Sequence, residues 1–278
     1  MIFLNGRILP PGEASLDPRD RGFLLGDGLF ETLPCLAGQA VRMDEHLARL
    51  AAGAGVLGIP LSCPIDEVRL GTMRVLEANG LDKADAVLRI TLSRGPGPRG
   101  LLPPEDPVPT LMITAAALEP RAQAPAGAII ATTRRNEHSP LANLKTLNYL
   151  DSVLARREAA ERGADEALLL NTAGRLASAS AANLFLVRDG CLLTPPVADG
   201  ILPGITRALV LEMAGGLGIE AAETPLERED LWDAQEAFMT NSLIELRPLV
   251  RVDDRAIGAG HPGPTTRRLH QSYTAAQR

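Results

Sequence analysis

The sequence predicts an α+β protein of two domains, and three observations lead there. At 278 residues the chain is long enough for more than one core. Residues 1–118 alternate strand-like and helix-like stretches that complete one small α+β domain. Residues 119–127, Glu119-Pro120-Arg121-Ala122-Gln123-Ala124-Pro125-Ala126-Gly127, have linker composition, and a larger domain follows over 128–278.

The elements follow in order. Ile2–Leu9 reads as two short strands around the Asn5-Gly6 turn, and Gly28–Leu36 with Gln39–Met43 as a second hairpin. Apolar residues at three- and four-residue spacing predict helices over Asp44–Leu57 and Ile65–Asn79. Strands over Ala86–Ser93 and Thr110–Ala116 flank a Gly/Pro-rich loop and end the first domain. The second opens with a strand at Ala128–Thr133, a loop carrying Lys145, and a helix over Leu147–Arg162. Ala167–Leu170, Ala182–Val187 and Cys191–Thr194 read as a strand meander, Gly204–Gly215 as a helix after a tight turn. Strands at Ala237–Thr240 and Ile244–Val250 and a helix over Thr265–Ala275 complete the chain.

Composition excludes several classes. Aromatic residues are only 3%, so Leu, Val, Ile and Ala must build the cores. A net charge of −6 without a basic stripe argues against nucleic-acid binding, while leaving room for a locally positive site. Cys35, Cys63 and Cys191 are odd in number and lack metal-ligand spacing, which fits free thiols in a reducing compartment. The four histidines are scattered, so no metal is expected. No apolar run reaches membrane-spanning length, and no basic region precedes a hydrophobic stretch at the N-terminus. A cytoplasmic location is the expectation.

Lys145 stands out because only it and Lys83 are lysines among 28 basic residues. Lys83 lies in a turn-like, polar stretch, whereas Lys145 sits among apolar neighbours in Leu141–Leu150. Arginine is not deprotonated in proteins, but a desolvated lysine can lose its proton and attack a carbonyl. Composition alone leaves that reading open beside a surface lysine at a helix start.

Other segments suit an anion. In Leu202-Pro203-Gly204-Ile205-Thr206-Arg207 a helix begins directly after a glycine, and helix N-termini offer unpaired N–H groups to phosphate. Phe238-Met239-Thr240-Asn241-Ser242 ends a strand in three small polar residues that can also serve as a plain turn. Arg49 of Glu45-His46-Leu47-Ala48-Arg49-Leu50 is a candidate phosphate clamp or a solvent-facing arginine. Gly22, Gly26 and Gly28 in Asp20–Thr32 suggest a backbone that turns sharply or packs closely.

Taken in order, Arg21–Thr32, His46–Leu50, Ser93–Gly100, Leu144–Leu150, Ala181–Phe185, Leu202–Arg207 and Thr240–Leu243 resemble one family. It is that of branched-chain aminotransferases, D-amino-acid aminotransferases and aminodeoxychorismate lyases, the fold-type IV enzymes that use pyridoxal phosphate. The resemblance implies a D-amino-acid aminotransferase-like α+β fold of two domains, the larger one binding cofactor, with the cofactor site between them. It implies pyridoxal 5′-phosphate, a small amino substrate bearing a carboxylate, and a homodimer whose second subunit contributes to the site.

Residue by residue, Lys145 matches the lysine that forms the internal aldimine and shuttles protons. Arg49, the backbone of Ile205, Thr206 and Ser242 match the phosphate cup, with Thr240 in the same segment. Arg99 matches an arginine that meets the substrate carboxylate, and Phe30 replaces a polar group near that carboxylate in D-aminotransferases. One departure is chemical. Where the family places a glutamate facing the pyridine nitrogen, Leu176-Ala177-Ser178-Ala179-Ser180-Ala181-Ala182-Asn183 puts Ser178. A hydroxyl holds the pyridine protonated less well than a carboxylate, unless Ser178 is a tolerated variant or the register shifts.

The loop Ser93-Arg94-Gly95-Pro96-Gly97-Pro98-Arg99-Gly100 is closest to the lyase form, and Thr32 matches a threonine that the lyase branch places near its lysine. The resemblance therefore favours 4-amino-4-deoxychorismate lyase, giving 4-aminobenzoate and pyruvate, and folate biosynthesis as its setting. An aminotransferase of D-amino or branched-chain amino acids is the alternative, because Lys145–Leu150 fits both branches. A cofactor-binding protein whose catalysis has decayed is the third reading, supported by Ser178.

Overall fold

The computed structural model describes residues 1–119 and 124–277. The chain divides into two compact units, Met1–Pro120 with Leu144–Asn148 and Arg121–Asn143 with Tyr149–Arg278. Of the expected linker over 119–127, residues 120–123 lie outside the described residues, and Ala126 and Gly127 already belong to a strand. The Lys145 segment groups with the first unit rather than with 128–278, for a backbone reason given below.

The first unit contains β1 (Ile2–Leu4), β2 (Arg7–Leu9), α1 (Arg21–Leu25), β3 (Gly28–Leu36), β4 (Gln39–Ala40), α2 (Met43–Leu57), α3 (Ile65–Ala78), β5 (Ala86–Ser93) and β6 (Thr110–Ala117). The strands form one antiparallel sheet in the order β2-β1-β6-β5-β3-β4. Alternation along β3 sends Leu29, Leu33 and Cys35 to one face, where Leu47, Leu50, Val68 and Val75 of the two long helices bury them. Burial pushes the Cys35 thiol up to about 12, so it is an inert core thiol.

Two expectations change here. The strand predicted to run to Met43 stops at Ala40, because Arg42 adopts a left-handed φ of 55° and turns the chain into α2. The stretch Arg21–Leu25, for which the glycines suggested only a sharp turn or close packing, is a short helix: Asp20 Oδ1 accepts from the Gly22 N–H at 2.8 Å, and Gly26 closes it at φ 67°.

The second unit contains β7 (Ala126–Arg135), α4 (Leu150–Glu161), β8 (Glu166–Asn171), β9 (Leu176–Ala179), β10 (Asn183–Arg188), β11 (Cys191–Thr194), α5 (Ile205–Gly216), β12 (Ala221–Glu223), α6 (Asp230–Asp233), β13 (Glu236–Asn241), β14 (Glu245–Val252), β15 (Arg255–Ala256) and α7 (Pro264–Ala276). The pairings run β10-β13-β14-β7-β8-β9 and return to β10, so six strands close on themselves, with β11 and β12 as a side extension. The predicted meander is present as β8-β9-β10-β11, each strand antiparallel to the next with β9 as an additional member, and the sheet as a whole is mixed because β7 runs parallel to both β8 and β14. Inside the ring pack Leu168, Leu176, Leu184, Leu186, Met239 and Leu249.

Helices cover the outside. Ala155 and Ala159 of α4 sit on Ile129, Ala131 and Leu169, small residues that let the helix lie close. Leu209, Val210 and Ala214 of α5 and Leu269 and Tyr273 of α7 cover the stacked rings of Phe185 and Phe238, whose centroids are 5.0 Å apart.

One buried charge network fixes the loop between β5 and β6. Asp27 accepts from Arg21 Nε and Arg94 Nε, both at 2.8 Å, while Arg21 Nη2 donates to Leu101 O at 2.8 Å and Arg94 Nη2 to Leu57 O at 2.7 Å. Burial alone would raise the Asp27 carboxyl, but the hydrogen bonds from Arg94 and Arg21 outweigh it and hold its pKa below the ordinary value. A depressed folded pKa stabilises above the unfolded value and is lost as pH falls through the folded one. Asp27→Asn should cost about 3–5 kcal/mol near neutral pH. In urea melts at decreasing pH, the wild type should converge on the variant in acid; a constant gap would refute this origin.

Candidate functional site

In the first unit the lysine is held by backbone. The Phe30 N–H donates to Lys145 O at 2.9 Å, the Leu147 N–H to Gly28 O at 2.9 Å, and Leu29 bridges Thr146 in antiparallel register. Asn148 Nδ2 adds a bond to Gly26 O at 3.0 Å. This strap covers the edge of β3 that faces away from β5, and it explains why α4 starts at Leu150 instead of Leu147.

The strap also accounts for the glycines. A Cβ on Gly28 would lie 2.5 Å from Leu92 O and 2.8 Å from Leu147 Cδ1. On Gly26 it would lie 2.7 Å from Asn148 Oδ1, and on Gly22 2.5 Å from Ser93 Cβ and 3.2 Å from Leu147 Cδ1. The close packing read from the sequence is the seat of the lysine segment.

The Lys145 Nζ lies 4.3 Å from the centroid of the Phe30 ring, and the Arg89 guanidinium carbon lies 3.9 Å from the same centroid. Arg89 sits on β5 directly opposite Thr32, and Thr32 shares the face of Phe30 by strand alternation. Phe30, Thr32, Arg89 and Lys145 therefore form one cluster. Arg89 was not singled out in the sequence; the signal was its place opposite Thr32, visible only once β3 and β5 pair. Arg99 is exposed on the loop that Arg21 holds, so the structure does not bring it into this cluster.

Glu31 points to the other face of β3 and is 1% exposed. Its carboxylate accepts from Arg49 Nε and Nη2, each at 2.8 Å, and lies 2.6 Å from His46 Nδ1. Burial would raise this carboxyl, but the bonds from Arg49 and His46 prevail and keep its pKa below the usual range.

The second unit gathers the remaining predicted residues. Cross-strand pairing sets Ser178 opposite Asn183 and Asn183 opposite Thr240, so the three side chains form a row on the outer face of the ring. Asn183 Nδ2 donates to Leu202 O at 2.9 Å, and a Cβ on Gly204 would lie 2.1 Å from Asn183 Oδ1. Gly204 thus lets α5 begin against that row. It caps the helix without a side chain, so the first-turn N–H groups at Ile205 and Thr206 have no intrahelical acceptor. Thr206 is buried in that turn, Ser242 is half-buried, and Asn241 Oδ1 shapes the intervening turn by accepting from the Leu243 and Ile244 N–H groups. Arg207 is engaged elsewhere, with Pro195 O at 2.9 Å and Glu223 at 2.7 Å.

Thr240 Oγ1 is buried and makes no hydrogen bond. A buried hydroxyl without an acceptor, beside a helix N-terminus that only glycine can seat, fits a phosphate group. Among the described residues no cluster of His, Cys, Asp or Glu can hold a metal ion, and no helix is long and apolar enough to cross a membrane.

Comparison with known proteins agrees with this geometry. The family model for amino-transferase class IV matches residues 28–252. A putative branched-chain-amino-acid aminotransferase of Methanocaldococcus jannaschii is 35% identical, covering 98% of this chain and 94% of its own. The branched-chain amino acid aminotransferase of T.th., solved with pyridoxamine 5′-phosphate, superposes with a TM-score of 0.93 at 30% identity, covering 99% and 93%. The 4-amino-4-deoxychorismate lyase of Pseudomonas aeruginosa does so with a TM-score of 0.87 at 32% identity, covering 99% and 98%. The chain belongs to amino-transferase class IV, the pyridoxal-phosphate enzymes of fold type IV.

Proposed function

We propose that the chain is a 4-amino-4-deoxychorismate lyase, releasing 4-aminobenzoate and pyruvate. The observation that carries this reading is Ser178, buried in register with Asn183 where the family resemblance expects a carboxylate. When bound, pyridoxal phosphate supplies an electron sink for a carbanion beside the substrate nitrogen. A serine hydroxyl keeps the ring nitrogen protonated less well than a carboxylate, which weakens that sink. A reaction whose product becomes aromatic tolerates the loss better than amino transfer does.

The residues then take definite roles. Lys145 would be the amine that holds the cofactor and would accept the proton leaving the substrate ring carbon. Arg49, the Ile205 backbone, Thr206, Thr240 and Ser242 would hold the phosphate. Thr32, on the Phe30 face next to the lysine, gives a proton to the methylene carbon of the departing enolpyruvyl group as the ether C–O bond breaks. The elimination balances without any co-reactant. Arg89 binds a substrate carboxylate, since it shares the Phe30 ring with Lys145. Arg99, exposed on its loop, is the candidate for a second carboxylate, in its own site or in that of a second copy.

An aminotransferase is the second reading. It is favoured by the 35% identity to the Methanocaldococcus jannaschii protein. A homodimer is part of the same proposal. Arg21 binds the carbonyls of Leu101 and Leu102, whose side chains are 81% and 84% exposed, and Phe23 and Leu24 beside Arg21 in the sequence are exposed too; apolar side chains so placed suit contact with a second copy.

The following measurements test this. Borohydride reduction of the holoenzyme should leave a cofactor adduct on Lys145, and incubation with aminodeoxychorismate should yield 4-aminobenzoate. Turnover with D- or L-amino acids and a keto acid, without 4-aminobenzoate, would replace the lyase by the aminotransferase. Arg89→Ala should raise KM by about tenfold or more, as expected for a lost charge-assisted contact, and Arg99→Ala by less; the reverse order would return the carboxylate to Arg99. Light scattering should give twice the 29.5 kDa chain mass, and a monomer would remove the dimer.

A further inference from the structure

Glu31 is an anomaly in the first unit's core. Its neighbours on the same face of β3 are Leu29, Leu33 and Cys35, all buried and apolar. A buried ion pair rarely outperforms an apolar pair of similar volume in stability, so stability alone does not account for a carboxylate there. What the carboxylate holds is more telling. Arg49 keeps 17% side-chain exposure while its partner is 1% exposed, so the guanidinium stands at the rim of the core with its anion beneath it.

The geometry of the grip is specific. Glu31 Oε1 takes Arg49 Nε and Oε2 takes Nη2, which fixes both the plane of the guanidinium and its rotation about the side-chain axis. His46, one helical turn before Arg49 on α2, lies 2.6 Å from Glu31 Oε2 through Nδ1. An ionised carboxylate only accepts, so the imidazole proton must sit on Nδ1. His46 thereby stops the carboxylate from rotating away from the arginine.

We propose that Glu31 and His46 are positioning residues for Arg49, orienting its guanidinium for a phosphate monoester before the cofactor arrives. This rests on the cofactor-phosphate reading of Arg49 given above. Holding a cation in place beforehand removes the ordering cost that a free arginine would incur on binding. The motif Phe30-Glu31-Thr32 then has two outputs. Phe30 and Thr32 serve the lysine on one face, and Glu31 serves the arginine on the other.

The test compares two probes, pyridoxal phosphate and pyridoxal, which differ only in the phosphate. Their dissociation constants are measured by titrating apoprotein of the wild type, Glu31→Gln, His46→Leu and Arg49→Ala, with melting temperatures recorded in parallel. Glu31→Gln should weaken pyridoxal phosphate by about tenfold or more and leave pyridoxal within about twofold, the size expected for one lost charge-assisted contact. His46→Leu, which keeps the ion pair, should shift in the same direction by less and serves if Glu31→Gln does not fold. Equal weakening of both probes, or none, would show Glu31 and His46 to be structural only and overturn the proposal. If Arg49→Ala fails to separate the two probes, the phosphate reading of Arg49 falls, and the positioning role falls with it.

Discussion

The backbone pairing between Leu144–Asn148 and Gly26–Phe30 is the constraint on which the rest of the candidate chemistry depends. An amine that must reach one carbon of a cofactor is useful only if its stem is fixed. Here the stem is fixed by strand-like hydrogen bonds rather than by side-chain packing. Glycines at 22, 26 and 28 are the cost of that choice, because any Cβ there would strike Ser93, Asn148 or Leu92. Main-chain anchoring leaves the side chain of Lys145 to settle against its surroundings, among them the Phe30 ring that it shares with Arg89.

The second unit solves a different problem by similar means. A helix N-terminus is a weak anion site unless something can approach it closely and partner groups complete it. Asn183 does both tasks: its amide holds Leu202, and its position in the row aligns Thr240 and Ser178 with the start of α5. Helices α4, α5 and α7 pack on either side of this row, so the polar residues occupy the gap between two apolar contacts instead of interrupting either one.

Much of this was legible in the sequence. The hairpin at Asn5-Gly6, helices α2 and α3, and the start of α5 after Gly204 carry local signals that tertiary structure did not override. What escaped was non-local. Strand β9 lacks an alternating pattern, since all four of its residues are buried between β8 and β10. The helix over 147–162 lost its first residues because Gly28, more than a hundred positions away, claims the Leu147 N–H. Arg89 was missed for the same reason: its role is set by the register of β3 on β5. The Glu31–Arg49 pair joins a strand to a helix, and neither residue announces the other.

The strap also orders events in time. As the polypeptide leaves the ribosome, β3 can pair with β5 as soon as residue 93 has emerged, yet its other edge at Leu29 stays open until Thr146 follows. A nascent chain ending near residue 120 therefore carries an exposed sheet edge, the kind of surface that recruits foreign strands. The segment that bears Lys145 is thus also the one that pairs with this edge, so the chain stays open to edge pairing until that segment has been made.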